Sequence, residues 1–290
     1  MRVKSFFDKA TYTVSYVVSD EKTRDAVIID PVMDYEPASS TYSYESVEKV
    51  VDYVKDNGLT LHYILETHAH ADHLSGAQEL KRQLPGSKIA ISANITKVQS
   101  TFKEIFNLIN DFKTDGSQFD ILIHDEQILK AGALEIKAIY TPGHTEACCS
   151  YLIEDAVFTG DTLFMPDFGV ARCDFPKGCA KTLYNSITKK LYTLPEETKV
   201  FTAHDYQPNN RELKFESTIG KSKRSNIHIN SNTAKADFVQ FRIERDKKLP
   251  APKLLLPSIQ VNIDGGRLPQ PESNQVSYLK IPVRPKNKST

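Results

Sequence analysis

A dense cluster of potential metal ligands occupies residues 67–73, where the sequence reads Thr-His-Ala-His-Ala-Asp-His. The apolar run Leu61–Leu65 before it predicts a buried strand, and Ser75–Leu84 after it shows a helical pattern. Imidazoles beside a carboxylate suit divalent ions such as zinc or iron, and a loop fed by a strand holds them rigidly. The alternative is a solvated loop with incidental histidines. It is disfavoured because five of the eight histidines lie in loop-like sequence beside Gly, Asp or Thr: His68, His70, His73, His144 and His204.

The other candidate ligands also follow predicted strands. His144 lies in Thr-Pro-Gly-His-Thr after a β-like segment that ends at Tyr140, and Asp161 lies in Gly-Asp-Thr after a predicted hairpin. His204 lies in Ala-His-Asp-Tyr after the strand pattern Lys199–Thr202. Sheets with helices between them present such loops from strand ends, so the pattern predicts an α/β fold with one site built from several loops.

The remaining pattern divides the chain into a large domain and a tail. An N-terminal hairpin is predicted from alternating β-formers, and a helix is predicted to begin after Ser43 as its N-cap. A charged helix is predicted over Asp237–Lys248, and the following segment is rich in proline but contains apolar stretches. We therefore predict a domain at residues 1–248 and an extension at residues 249–290, packed on the domain and ordered to about Pro285.

Composition narrows the classes of function. Lysine plus arginine equals aspartate plus glutamate at 37 each, which gives no basic surface for nucleic acid or membranes. The sequence contains no apolar stretch of bilayer length and no signal-peptide pattern, so we expect a cytoplasmic protein. The four cysteines form no C-x-x-C pair, and we expect them to be reduced packing residues.

The motifs, taken together and in order, resemble those of the metallo-β-lactamase-like superfamily. That resemblance implies an αββα four-layer sandwich with the metal at the sheet edges. Within the superfamily the chain is most similar to persulfide dioxygenases, which are related to glyoxalase II, and to their bacterial members with a C-terminal extension. The segments that carry this similarity are residues 66–75, 141–145, 160–164, 171–175, 178–184 and 203–206, together with 257–262 and 278–282 in the tail.

The resemblance implies one of two metal arrangements, and spacing alone does not separate them. In the dioxygenases one Fe(II) is held by His68, His144 and Asp161, with open positions for substrate and O₂. His70, Asp72, His73 and His204 are then polar residues around the iron. In the glyoxalase II-like arrangement two metals, such as zinc, are bound. The first takes His68, His70 and His144, the second takes Asp72, His73 and His204, and Asp161 bridges them.

The sequences that flank the ligands favour the iron arrangement, since Thr162–Phe164 and Ala171–Phe175 resemble the dioxygenases more than the thioesterases. The implied activity is oxidation of glutathione persulfide by O₂ to sulfite and glutathione. Two alternatives remain: a dinuclear thioesterase like hydroxyacylglutathione hydrolase, and a metal-binding regulator without activity. A lactamase is disfavoured by the absence of a signal peptide.

Two residues are predicted to hold the thiol carrier. Arg172 could pair with a glutathione carboxylate, although it could equally form a structural ion pair with Asp174. Tyr206 could line the same site, although it could equally be a core ring. Lys181 and Arg245 are weaker candidates. Asp30, at a strand end, is expected to buttress the metal loop by hydrogen bonds, and the apolar tail could support a homodimer.

Overall fold

The computed structural model describes residues 1–108, 112–283 and 285. Two six-stranded sheets carry the fold, and elements are numbered in chain order. The first sheet contains, in spatial order, β1 (Arg2–Asp8), β2 (Thr13–Ser19), β3 (Asp25–Ile29), β6 (Thr60–Leu65), β8 (Lys88–Ser92) and β9 (Ile121–Ile123). The second contains β10 (Ile128–Ala131), β11 (Leu134–Tyr140), β12 (Cys149–Ile153), β13 (Ala156–Phe158), β14 (Lys199–Phe201) and β15 (Glu216–Thr218).

A small third sheet and seven α-helices complete the structure described. The sheet contains β5 (Thr41–Ser43), β4 (Val32–Glu36) and β7 (Leu74–Ser75). The helices are α1 (Glu45–Asp56), α2 (Ala77–Gln83), α3 (Ile95–Ile105), α4 (Ala180–Lys189), α5 (Ile219–Ser225), α6 (Lys235–Asp246) and α7 (Leu255–Asn262), with 3₁₀ turns at Leu191–Thr193 and Pro208–Asn210. Within the described ranges, every helix falls short of what a bilayer crossing requires in length and apolar character.

Apolar side chains form three layers that set the order of the sandwich. Alternation along β2 sends Tyr16 into the cluster between the two sheets, where it meets Phe158, and sends Val17 to the outer face of the first sheet. Helices α1, α2 and α3 cover that outer face. Helices α4 and α6 cover the outer face of the second sheet, where Leu183 and Phe238 are buried. The fold is therefore the αββα sandwich that the family resemblance implied.

Parallel pairing brings several strand ends to one edge. Strands β3, β6, β8 and β9 run parallel, and β13 pairs parallel with β14. The loops that follow β3 and β6 in the first sheet, and β13 and β14 in the second, therefore leave in a common direction within each sheet. Since the two sheets pack face to face, these loops meet at the rim of the sandwich.

One local prediction was wrong. Ser43 ends strand β5 instead of capping α1, which begins at Glu45 without a side-chain cap from the preceding residue. The Asp34 carboxylate of β4 fills that role, because it accepts hydrogen bonds from the Ser46 backbone N–H at 2.8 Å and the Ser46 hydroxyl at 2.7 Å. The cap thus comes from a neighbouring strand.

Part of the predicted extension packs against the rest of the chain, and it includes helix α7. Helix α7 buries Ile259 among residues of the first sheet and its helices, together with Ile263, which directly follows the helix. Val261 of α7 is buried with Met33 and Leu74 of the small third sheet. Farther along, Leu279 packs on this layer, whereas Ile281 is 70% exposed. The predicted disorder beyond Pro285 falls on residues outside the described ranges.

Candidate metal centre

Asp30, which directly follows β3, fixes the histidine-containing loop that follows β6. Asp30 is buried, and its carboxylate accepts hydrogen bonds from the Thr67 backbone N–H at 2.7 Å and the Thr67 hydroxyl at 2.8 Å. The same carboxylate lies 3.0 Å from His70 Nε2. The expected buttressing role of Asp30 is confirmed by these bonds, which hold the first turn of the histidine loop.

His68, His144 and Asp161 form one compact group of potential ligand atoms, all within 4.8 Å of one another. His144 Nε2 lies 3.7 Å from Asp161 Oδ2. His144 Nδ1 donates to the Arg172 carbonyl at 2.7 Å, which leaves the Nε2 lone pair directed at the group. His68 Nδ1 lies 3.0 Å from the Thr67 hydroxyl, whose proton is given to Asp30, so His68 also keeps a free Nε2 lone pair.

His70, Asp72 and His73 form a second such group, and His204 joins it from the second sheet. His204 Nε2 lies 3.2 Å from Asp72 Oδ2 and 3.3 Å from Asp161 Oδ1, so Asp161 stands between the two groups. His204 Nδ1 donates to the Tyr12 carbonyl at 3.3 Å, which again leaves Nε2 as a lone pair. All seven residues predicted as ligands or their neighbours are thus brought together.

This donor set fits a divalent cation. In the described part of the chain, the buried Nε2 atoms of His68, His73 and His204 and the Oδ1 atom of Asp161 have no hydrogen-bond partner. Burial and then the neighbouring His70 and His144 lower the pKa of His68 well below its ordinary value, so its imidazole stays neutral. Buried lone pairs that face one another without protons are costly, and a cation between them removes that cost.

A glycine explains how the His144 loop can lie so close to α4. Gly143 has φ +148°, and a Cβ there would come within 2.4 Å of the Leu183 backbone. The loop is further held by the Ser186 hydroxyl, which donates to the Pro142 carbonyl at 2.7 Å. The motif Thr-Pro-Gly-His therefore combines one ligand with the packing that orients it.

A pocket of about 480 Å³ opens directly over the centre, and its floor includes Asp72, His144 and Asp161. Its walls are mainly aromatic and aliphatic. The aromatic members are Tyr12, Tyr35, Phe164, Phe168, Phe175 and Tyr206. Residues 249 and 252–254, which belong to the predicted extension, form part of the wall. The pocket can therefore take a small molecule whose reactive end reaches the ligand cluster.

Both predicted substrate residues line this pocket, with different surroundings. Arg172 forms a bidentate ion pair with Asp174 at 2.6 and 2.7 Å and also donates to the Pro250 carbonyl. The alternative role of Arg172, a structural ion pair with Asp174, is therefore present. Tyr206 is 37% exposed and stacks on Phe168 at 4.8 Å between ring centroids. Burial, and then the charges of Asp72 and Asp161, raise the pKa of Tyr206, so its hydroxyl remains a hydrogen-bond donor.

Two further cations line the pocket: one is a weaker candidate from the sequence, and the other has no sequence signal. Arg245, a weaker candidate from sequence, and Lys253 both face it, and among the described residues neither has an ion pair. Lys181 does not line the pocket. Lys253 lies in a proline-rich stretch with no motif around it, so a single sequence offers no signal for its role.

The fold and the site define a four-layer αββα protein with a histidine- and aspartate-rich metal centre at the edges of its sheets. A family model described as the metallo-beta-lactamase superfamily matches residues 9–204, and the chain belongs to that superfamily.

Relatives within the superfamily differ in the activity that their names indicate. Glyoxylase B2 of Dictyostelium discoideum is 48% identical over 283 residues, which are 97% of each chain. The mitochondrial persulfide dioxygenase ETHE1 of Homo sapiens is 32% identical over 206 residues, which are 70% of this chain and 68% of that protein. The crystal structure of ETHE1 from Myxococcus xanthus is similar with a TM-score of 0.73 and 30% identity, and covers 92% of this chain and 100% of that one.

Proposed function

We propose that this protein is a cytoplasmic persulfide dioxygenase with one Fe(II) held by His68, His144 and Asp161. The observation that carries the proposal is the placement of this two-histidine-one-carboxylate group, because His144 and Asp161 both line the floor of the pocket. Such a group leaves positions open toward the pocket, which suits non-haem Fe(II) and O₂ chemistry. The similarity to two proteins named ETHE1, one of them a persulfide dioxygenase, supports the same reaction.

The reaction converts one persulfide, one O₂ and one water into a thiol, sulfite and two protons. The outer sulfur is oxidised and O₂ is reduced, and the S–S bond breaks as the thiol leaves. Fe(II) supplies the electronic coupling that lets O₂ react with a closed-shell sulfur anion. The chain supplies the ligand orientation, through the Arg172 carbonyl on His144 and Thr67 on His68. The Tyr206 hydroxyl supplies a hydrogen-bond donor over the site, and the aromatic walls limit access of water.

The charges around the pocket support an anionic thiol carrier. Three cations, Arg172, Arg245 and Lys253, line the pocket. Of the acidic residues that line it, Asp72 and Asp161 belong to the ligand cluster and Glu36 does not. Glutathione carries two carboxylates, which arginine can bind in bidentate geometry. We therefore propose glutathione persulfide as the substrate, with the reactive sulfur over the ligand cluster and the carboxylates at these cations.

A dinuclear hydrolase with two zinc ions is the second candidate. The observation that favours it is the second group of donors, since Asp72 and His73 lie together and His204 lies beside both Asp72 and Asp161. His70, which the dinuclear arrangement assigns to the first metal, groups here with Asp72 and His73. The 48% identity to a protein named Glyoxylase B2 points the same way. In this case, a metal-bound hydroxide would attack a glutathione thioester.

The test is O₂ uptake by protein loaded with Fe(II) under anaerobic conditions and then given glutathione persulfide in air-saturated buffer. We expect O₂ consumption with an equal amount of sulfite, and loss of both by at least about 100-fold in His144→Ala. His62→Ala is the matched control, because His62 of β6 pairs with Asp25 of β3 and lies outside the pocket.

Two outcomes would contradict the dioxygenase. Zinc-loaded protein that hydrolyses S-lactoylglutathione, with no O₂ uptake by the iron form, would establish the dinuclear hydrolase. Metal-loaded protein with neither activity would indicate the binding regulator.

A further inference from the structure

One side chain of the predicted C-terminal extension reaches the metal loop. Asn262, the last residue of α7, is buried, and its carboxamide makes three hydrogen bonds to the backbone of that loop. The amide nitrogen donates to the His70 and His73 carbonyls, each at 2.8 Å, and the amide oxygen accepts from the Ser75 N–H at 2.8 Å. A single side chain thus forms hydrogen bonds to both ends of the segment that contains His70, Asp72 and His73.

The turn that directly follows Asn262 is held by hydrogen bonds from two other helices. The Gln99 side chain of α3, which is fully buried, donates to the Ile263 carbonyl at 2.9 Å. The Gln78 side chain of α2 donates to the Gly265 carbonyl at 2.8 Å. The turn that follows α7 is therefore fixed on both sides, so the Asn262 carboxamide is presented in one position and does not have to be ordered when it binds the loop.

We infer that Asn262 is a positioning residue of the metal centre, through which the C-terminal segment sets the geometry of the His70–His73 loop. Residues 70–73 lie outside the regular strands and helices, and both carbonyls satisfied by Asn262 belong to histidines of the ligand cluster. Buried carbonyls without a donor would force the backbone to turn, and the attached imidazoles would turn with it. The inference rests on the metal centre of the proposed function, but holds for either metal arrangement.

The experiment measures metal binding in Asn262→Ala and Asn262→Asp with Co(II) as the probe. Aspartate keeps the shape and can accept from Ser75 N–H, but its ionised carboxylate cannot donate to the two carbonyls. Dissociation constants come from competition with a chromophoric chelator, and the visible Co(II) spectrum reports the coordination geometry. Gln260→Ala is the matched control, since Gln260 also lies on α7 and makes three backbone hydrogen bonds, at 2.7–2.9 Å, to Leu256 and Lys280 and none to the metal loop.

We expect both Asn262 variants to bind Co(II) about 10–100-fold more weakly, with a changed spectrum, while Gln260→Ala stays within about twofold of the wild type. Thermal unfolding of the metal-free proteins identifies variants that fold. If Asn262→Ala does not fold, the isosteric Asn262→Asp decides by the same criterion.

Wild-type affinity and spectrum in a folded Asn262 variant, or an equal loss in Gln260→Ala, would overturn the inference. Failure of the dioxygenase itself is seen separately, as Co(II) binding by the wild type without O₂ uptake in the iron form.

Discussion

At the scale of single residues, the pocket cations differ in how much of their charge is already used. Arg172 is neutralised by Asp174, and Asp246 is held by Arg242. Arg245 is half-buried, and burial and then the neighbouring Arg242 lower its pKa, while the charge of Asp246 offsets this only in part. An anionic ligand would supply the remaining compensation, so Arg245 is a better carboxylate partner than Arg172.

Removal of this charge should therefore weaken binding of anionic substrates more than it slows the reaction. In Arg245→Ala we expect KM for glutathione persulfide to rise about 10- to 100-fold with kcat within about twofold, since a hydrogen bond to a charged group contributes about 1.5–3 kcal/mol. Steady-state O₂ uptake gives both constants. Arg224→Ala is the control, because Arg224 is an exposed arginine that pairs with Glu196. An equal rise in KM for the persulfide of an uncharged thiol would contradict the carboxylate contact.

At the scale of elements, the segment 170–173 contacts helix α6 and His144. It therefore links the outer helix layer to the metal centre. Asp246 of α6 accepts from the Cys173 N–H at 2.8 Å, and Arg242 donates to the Val170 carbonyl at 3.3 Å. The Val170 N–H donates to His228 Nδ1 at 3.2 Å. Since the Arg172 carbonyl orients His144, helix α6 and His228 act on the centre through this segment.

The His228 contact predicts a stability that depends on pH. The bond from Val170 needs a neutral ring, and burial, then Arg242 and Arg245, lower the pKa of His228 to about 4. The unfolded chain takes up this proton near pH 6.5, so the free energy of unfolding should fall as pH decreases from about 6.5 to about 4. For this partly exposed ring we expect about 1–2 kcal/mol.

Urea unfolding of metal-free wild type and His228→Gln at pH 7 and pH 4.5 measures this effect. Glutamine keeps a hydrogen-bond acceptor but does not titrate, so its stability should fall less between the two pH values. Other titrating groups contribute equally to both proteins and cancel in the difference. Identical pH dependence in the two proteins would show that His228 is not responsible.

The same elements show what sequence could and could not predict. The strands that deliver the candidate ligands carry alternating or continuous apolar residues, and their loops carry histidine, aspartate and glycine. Local pattern was therefore sufficient to predict an α/β fold with ligand loops at strand ends, whereas the αββα layers came from the family resemblance. No nearby sequence pattern predicts the helix cap formed by Asp34 or the hydrogen bonds from Asn262 to the metal loop. Asn262 lies 192 positions from His70, and only packing of α7 brings the two together. Long-range hydrogen bonds of this kind follow from tertiary structure.

At the scale of the whole molecule, the described part of segment 249–290 contributes to three features of the structure. It contributes Leu254 and part of α7 to the buried core, it forms one wall of the pocket, and it brackets the metal loop through Asn262. An appended segment would be expected to do only the first. We therefore expect stability, metal binding and substrate access to depend on it together.

Deletion of residues 249–290 tests this dependence. The deletion removes four fully or almost fully buried aliphatic side chains, Leu254, Ile259, Val261 and Ile263, and exposes the apolar surface beneath them. At about 1.5–3 kcal/mol for each side chain, the loss of roughly 6–12 kcal/mol is comparable to the whole stability of a typical domain, about 5–15 kcal/mol. We expect residues 1–248 alone to give an aggregated or molten product without Co(II) binding, measured by size-exclusion chromatography, near-ultraviolet circular dichroism and metal titration.

A deletion of only residues 284–290 spares all four side chains and serves as the control. A monomeric, folded 1–248 fragment that binds Co(II) like the full chain would show that the segment is dispensable, and that the large domain alone builds the centre.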